Sequence, residues 1–232
     1  MDIVIGFRRL PFGLSCSPAI FSRQMREILG PLIKKGVKNY LDDVIVLANS
    51  FEELVLLLES FFEHLQEKGV KLNLRKCNLG QKEVSFLGSV ICKQGCQPDP
   101  KNLEGINGMK DPQNVQDVKG LLGMVGFYRR HIEKFAKIAL PLRNLTKEEG
   151  KFIWKDQCEV AFDKLKEALM STPILVKADV GKPLTMTTDG SNYAVGAVLR
   201  QVQAEGELGV IGYFMKKVNQ AEVNYSATGK EA

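Results

Sequence analysis

Histidine is nearly absent from this chain: 232 residues hold two, His64 and His131. A four-ligand zinc site therefore has little to draw on beyond the one close cysteine pair, Cys92 and Cys96. Cysteine is sparse as well. Cys16, Cys77, Cys92, Cys96 and Cys158 are odd in number and irregular in spacing. They make no disulfide framework, and a reduced, intracellular protein is the simpler expectation, with cytoplasm and nucleus not distinguished. No apolar run is long enough to span a bilayer. The start, Met1-Asp2-Ile3-Val4, lacks the basic region and apolar core of a signal peptide, so no membrane partner is expected. Nor is there a large excess of either charge. The net value of +5 is compatible with a polyanionic partner but is not evidence for one.

What the chain does have is apolar material, 44% of its residues, enough for one large domain or two smaller ones. Two adjacent carboxylates, Asp42 and Asp43, stand between the β-prone runs Val37–Leu41 and Val44–Ala48. The pattern predicts a buried hairpin with Asp-Asp at its tight turn. Like charges at such a tip repel, and a divalent cation between them is the natural compensation. A plain turn explains the dipeptide equally well, because Asp favours turns.

Around this hairpin the spacing predicts a helix capped by Ser17 with Pro18 in its first turn, ending early or kinking at Gly30-Pro31. A second helix follows a Ser50/Glu53 capping box and ends at Gly69. Val70, Leu72 and Leu74 alternate as a half-buried strand. Val84 to Cys92 reads as another strand, and Gln94-Gly95 as a turn. The layout is α+β: an antiparallel sheet with helices on one face. Pro98, Pro100 and Pro112 mark a boundary near 98. A helix capped by Asn114 is expected from Val115 to about Phe135, and a second from an Asp156/Glu159 capping box. Between them, residues 129–155 carry eight Lys or Arg against three Glu, interleaved with Phe127, Tyr128, Phe135 and Trp154. Such a stretch suits a phosphate-tracking surface, and it suits a solvated helix face over core aromatics too. From Thr172-Pro173 onward, three strands form a meander. Ser226 caps a further helix that has hardly begun at Ala232, so the chain is expected to be cut within a domain.

Seven ordered motifs together resemble a known family. They are Leu10-Pro-Phe-Gly-Leu14 with Ser17-Pro-Ala-Ile-Phe21; Tyr40-Leu-Asp-Asp43; Leu72-Asn-Leu-Arg-Lys-Cys77; Phe86-Leu-Gly88; Gly126-Phe-Tyr-Arg-Arg130; Thr188-Asp-Gly-Ser191; and Asn224-Tyr-Ser226 with Lys230-Glu231. In this order they resemble the reverse transcriptase and RNase H region of gypsy-type LTR retrotransposon polyproteins, over essentially the whole chain.

The resemblance implies a division into a reverse transcriptase palm (1–97), thumb and connection helices (98–172) and the N-terminal part of an RNase H-like domain (173–232). It implies an RNA-directed DNA polymerase with ribonuclease H activity. Asp42 and Asp43 would be two of three palm carboxylates that hold Mg²⁺ (or Mn²⁺) for two-metal nucleotidyl transfer. Asp189 and Glu231 would be metal-binding carboxylates of the ribonuclease H site. Phe12, Gly13 and Lys76 would meet the incoming nucleotide. Tyr40, the Phe86, Leu87 and Gly88 hairpin, Arg129 and Arg130 would hold the primer and template. Partners would be a primed RNA or DNA template, an RNA–DNA hybrid, dNTPs and flanking polyprotein domains such as protease and integrase. In the family the first palm carboxylate precedes the Leu-Pro-Phe-Gly-Leu loop and further ribonuclease H carboxylates follow, so the chain is expected to be truncated at both ends. The alternative is a catalytically inactive, nucleic-acid-binding remnant.

Overall fold

The computed structural model describes residues 9–147, 152–190, 194–204 and 206–218. The opening strand, the Ser226 helix and Glu231 lie outside the described residues. The chain divides into two compact units, Met1–Lys82 and Glu83–Ala232.

The first unit contains helix α1 (Ser17–Ile33), strands β1 (Val37–Tyr40) and β2 (Asp43–Val46), and helix α2 (Phe51–Glu67). Its core is Met25, Leu29 and Leu32 of α1, Val37 of β1, and Leu57, Phe61 and Leu65 of α2, with Val44 and Val46 packed against them. Ser17 is not the cap of α1. It is the first helical residue, after an uncapped Cys16, and its hydroxyl donates back to the Pro11 carbonyl at 2.7 Å. Nor does Gly30-Pro31 end the helix, which runs on to Ile33. An interior proline costs about 3 kcal/mol. Full burial of Leu29 and Leu32, at roughly 1.5–3 kcal/mol each, offsets that and holds the last turn in place.

Helix α2 begins as its sequence predicts. Ser50 Oγ accepts from Glu53 N at 3.1 Å, while Glu53 Oε2 accepts from Asn49 N at 2.8 Å, one residue before the usual partner. It closes with a Schellman pair, Gly69 N to Gln66 O (3.1 Å) and Val70 N to Leu65 O (2.9 Å). The strand expected over Val70–Leu74 does not form. Asn73 Oδ1 accepts from Arg75 N (3.2 Å) and starts a short 3₁₀ turn, Leu74–Lys76, leaving Leu72 and Leu74 exposed. Alternation makes a strand only where a ladder partner exists, and here a local Asn side chain offers the backbone another bond.

In the second unit the single strand expected over Val84–Cys92 is a hairpin, β3 (Val84–Phe86) and β4 (Ser89–Ile91), continued by β5 (Cys96–Pro98) in an antiparallel three-stranded sheet. The sequence reading also missed α3 (Pro100–Asn107), which Asp99 caps by accepting from Lys101 N at 3.0 Å. The long helix expected to reach Phe135 stops sooner. Helix α4 (Val115–Phe127), capped by Asn114 (Asp117 N, 2.9 Å), gives way to a 3₁₀ turn at Arg129–His131. The left-handed Lys134 then begins α5 (Phe135–Leu145). Breaking the helix lets Tyr128, Ile132 and Phe135 all enter one core with Leu121 and Val125.

Helix α6 (Asp156–Met170) completes that core with Phe162, Leu165 and Leu169. The expected Asp156/Glu159 capping box is absent. Asp156 is the first helical residue and no side chain caps the end, so both acids act only as first-turn charges favoured by the helix dipole. Strands β6 (Thr185–Gly190), β7 (Ala194–Val202) and β8 (Leu208–Lys217) form the expected meander. Leu175 exchanges two 2.8 Å backbone bonds with Cys96 of β5, and Val176 N bonds Val210 O of β8 (2.8 Å), so a two-residue bridge links the two sheets.

Gly36 sets the base of the β1–β2 hairpin. Its φ is +115°, Leu47 N bonds its carbonyl at 3.0 Å, and a Cβ there would fall 2.2 Å from Leu47 O. Gly36→Ala should therefore destabilise the first unit by roughly 2–3 kcal/mol, read as a lowered urea midpoint at unchanged slope.

Candidate functional site

The β1–β2 ladder pairs Val37 with Val46, Lys38 with Ile45, Asn39 with Val44 and Tyr40 with Asp43. Pairs directly opposite share a face, and successive pairs alternate. Val37, Val44 and Val46 thus face the helices, and Tyr40 and Asp43 lie together on the other face. The turn pair is Leu41-Asp42 and not the expected Asp42-Asp43: Leu41 takes φ +52°, and Asp43 already pairs with Tyr40 in β2. Tyr40, Asp42 and Asp43 are all exposed. Among the described residues neither carboxylate makes an ion pair or a side-chain hydrogen bond with protein, so all four oxygens are free for an outside ligand. The one basic residue on this face, Lys38, is turned away, its Nζ donating to Ile33 O at 2.9 Å.

Two adjacent, unpaired carboxylates fit a hard divalent cation, which takes oxygen ligands. Among the described residues no group of three or more His, Cys, Asp and Glu gathers that could hold one, so these two Asp supply a pair of ligands and not a full cage.

The other expected site residues are distributed as follows. Phe12 is fully exposed beside Gly13 (φ +87°), in the loop before α1. Lys76 is exposed in the 3₁₀ turn after Asn73. These four places, Phe12, Gly13, Lys76 and the hairpin tip, belong to the first unit. Phe86, Leu87 and Gly88 belong to the second, at the β3–β4 turn, with φ +50° at Leu87 and +74° at Gly88, as a type I′ turn demands. Arg129 and Arg130 lie in the 3₁₀ turn after α4. Arg130 stacks its guanidinium 5.5 Å from the Phe214 ring of β8. Asp189 is exposed on β6 opposite Gly196. Glu231 is outside the described residues.

Two residues escaped the sequence reading. Tyr128 Oη donates to the Gly88 carbonyl at 2.8 Å, and Asn102 Nδ2 donates to Tyr128 Oη at 3.0 Å. Tyr128 lies within the Gly126–Arg130 motif, which was the available signal. Asn102 had none, because its helix was not foreseen. Of the aromatics in the basic stretch, Tyr128 and Phe135 are core residues and Phe127 is exposed.

Residues 4–91 match the reverse transcriptase (RNA-dependent DNA polymerase) family, and residues 154–232 match the RNase H-like domain found in reverse transcriptase. A retrovirus-related Pol polyprotein from transposon 297 of Drosophila melanogaster is 37% identical over 97% of this chain and 21% of its own length. One from transposon opus of the same organism is 36% identical, over 97% and 23%. The transposon Tf2-3 polyprotein of Schizosaccharomyces pombe is 32% identical, over 96% and 17%. The chain thus spans about a fifth of the length of these relatives. Among solved structures, the foamy viral protease–reverse transcriptase in complex with double-stranded DNA matches with TM-score 0.82 and 25% identity, over 96% of this chain and 39% of that one. The same enzyme with RNA/DNA hybrid gives 0.81, over 96% and 30%. The chain therefore belongs to the reverse transcriptase and RNase H-like region of retrotransposon Pol polyproteins. These relatives are consistent with the gypsy-type assignment, and the α+β fold agrees with that of the viral enzymes.

His131 follows Arg130 and is buried, with Nδ1 unpartnered. Burial, chiefly, holds its imidazole below the usual range; a backbone hydrogen bond to Pro173 opposes this and the neighbouring Arg130 charge adds to it. The unfolded chain then takes up a proton at higher pH than the native one does. The neutral-His contribution should be complete above about pH 6.5 and decline as pH falls from there toward the lowered native value. Urea titrations at about pH 7.5 and about pH 5.5 should show this loss, and His131→Leu should flatten it.

Proposed function

We propose that this chain is a segment of an RNA-directed DNA polymerase with part of a ribonuclease H-like domain, acting on a primer annealed to an RNA or DNA template. The observation that carries the reading is the Tyr40–Asp43 tip: two unpaired carboxylates on a core-anchored hairpin, inside the stretch matched by the reverse transcriptase family. The foamy viral enzyme binds double-stranded DNA and an RNA/DNA hybrid, and the same duplex classes are the partners proposed here.

In this reading residues 1–97 are palm, 98–172 thumb and connection, and 173–232 the beginning of the RNase H-like domain. Asp42 and Asp43 would hold Mg²⁺ or Mn²⁺, which when bound neutralises phosphate charge and assists ionisation of the primer 3′ hydroxyl. The protein groups position the reactants. The exposed Tyr40 ring, on the same face as Asp43, offers an apolar surface to the primer terminus. Phe12 and Gly13 border the incoming dNTP. Lys76 places a cation where the triphosphate's charge can be met. The Phe86–Gly88 turn and Arg129 contact the primer–template backbone, which fixes register without reading sequence. Asp189, exposed on β6, and Glu231 supply carboxylates for cleavage of the RNA strand.

Primer extension on an RNA template with Mg²⁺ tests this. Incorporation that falls at least ~10²-fold in Asp42→Asn would establish the catalytic reading, because positioned charge at such a centre is worth several kcal/mol. Absence of extension in the unaltered chain would overturn the catalytic reading. Duplex binding that persists without extension, and weakens steeply with salt, is the signature of the non-catalytic nucleic-acid-binding alternative.

A further inference from the structure

The tip of the β3–β4 hairpin holds a feature that its role in packing does not explain. Leu87 is a non-glycine residue at φ +50° and is exposed. A left-handed leucine costs on the order of 1 kcal/mol or more, and no burial of that side chain offsets it. The two-residue turn asks for this φ, and a left-handed leucine is held there where its surroundings over-determine it. Those surroundings are the neighbours of Gly88. Its carbonyl accepts two hydrogen bonds, from Tyr128 Oη (2.8 Å) and from Asp99 N (3.0 Å). Tyr128 Oη in turn accepts from Asn102 Nδ2 (3.0 Å), and Asn102 N is tied to Asp99 O (3.0 Å). A Cβ on Gly88 would come within 3.2 Å of Asn102 Nδ2 and 3.3 Å of both Tyr128 Oη and Phe127 Cε1. The first turn of α3 and the end of α4 thus close on one carbonyl, leaving the Leu87 side chain outside.

We propose that Tyr128 and Asn102 are positioning residues: through the Tyr128 hydroxyl they lock the Leu87-Gly88 turn in the one conformation that contacts the primer strand. This rests on the polymerase reading above and adds to it a named device in the helices behind the turn. The hydroxyl is the only polar part of an otherwise buried ring, so its removal leaves the packing of Tyr128 against the core intact. The two side chains act in series, Asn102 orienting the hydroxyl and the hydroxyl holding Gly88, so their losses should not add.

The test uses the full 232-residue chain and a fluorescent RNA/DNA primer–template hybrid. Tyr128→Phe should weaken hybrid binding about five- to tenfold, a hydrogen bond's worth, with the melting temperature nearly unchanged. Asn102→Ala should do the same, and the double variant should bind no more weakly than the weaker single one. Amide exchange at Leu87 and Gly88 should quicken in all three while exchange elsewhere in the sheet holds. A purely structural tyrosine would lower affinity only in step with melting temperature, and that result overturns the proposal. So does wild-type affinity in Tyr128→Phe. If the unaltered chain binds no hybrid, the polymerase reading fails and the proposal with it; if it binds and the variants bind equally well, the proposal fails alone.

Discussion

A two-stranded hairpin is barely stable in water, yet this one must hold two like charges side by side at its tip. The first unit is arranged to meet that demand. Val37 is fully buried between α1 and α2, with Val44 and Val46 beside it, so one face of the ladder is committed to the core. Gly36 brings the backbone against Leu47 and closes the base. Repulsion between Asp42 and Asp43 is weak while both are in water. It would grow wherever solvent were excluded from the tip, because the interaction scales inversely with the local dielectric constant. A pair of carboxylates with no protein countercharge is an arrangement suited to a cationic ligand.

The second unit solves a similar problem by different means. Its hairpin tip carries no charge, and what has to be fixed is backbone shape at Leu87 and Gly88. Three chain segments converge there: β3–β4 itself, the start of α3 and the end of α4. Tyr128, at the end of α4, packs its ring in the core with Ile132 and Phe135 and points its hydroxyl at Gly88. Packing and positioning are coupled at this residue, because ring and hydroxyl have separate partners.

How far the sequence foretold this differs by type of signal. The Asp-Asp hairpin, the Ser50 and Asn114 caps and the closing meander were legible because each rests on a local pattern: alternation, a side chain within reach of an adjacent amide, or a turn residue. The errors came where tertiary context decides. Val70, Leu72 and Leu74 alternate but have no strand to pair with. Pro31 sits inside a helix whose last turn is held by Leu29 and Leu32. Leu87-Gly88 has no apolar-to-polar change to reveal a turn, so pattern alone read one strand there, while the motif resemblance implied the hairpin that forms. The helix from Val115 was read too long because Ile132 stays in phase with α4 although the chain has already broken at Tyr128. At the site, the carboxylates were visible as residue types, whereas Asn102 acquires its place only through contacts across the fold.

Both expected acidic sites share one construction. Asp43 begins β2 and Asp189 lies near the end of β6, each exposed on a strand whose pairing is fixed by the ladder. Residues on paired strands are held more tightly than residues on loops, which matters where a misplacement of about 1 Å is costly. For Asp189 the support extends further. Buried Gln201 of β7 takes Asp179 N on its Oε1 (2.8 Å) and donates to Asp179 O (2.7 Å) and Lys182 O (3.1 Å), pinning the segment that leads into β6. Val176 then ties β8 to the bridge that reaches β5 through Leu175. The carboxylate on β6 and the turn at Gly88 are therefore parts of one hydrogen-bonded frame, in which β5 and β8 are joined through two consecutive residues. Such a frame leaves little freedom for the RNase H-like sheet to drift relative to the β3–β4 hairpin. The separation of Asp189 from the Gly88 turn is thereby set by the fold itself.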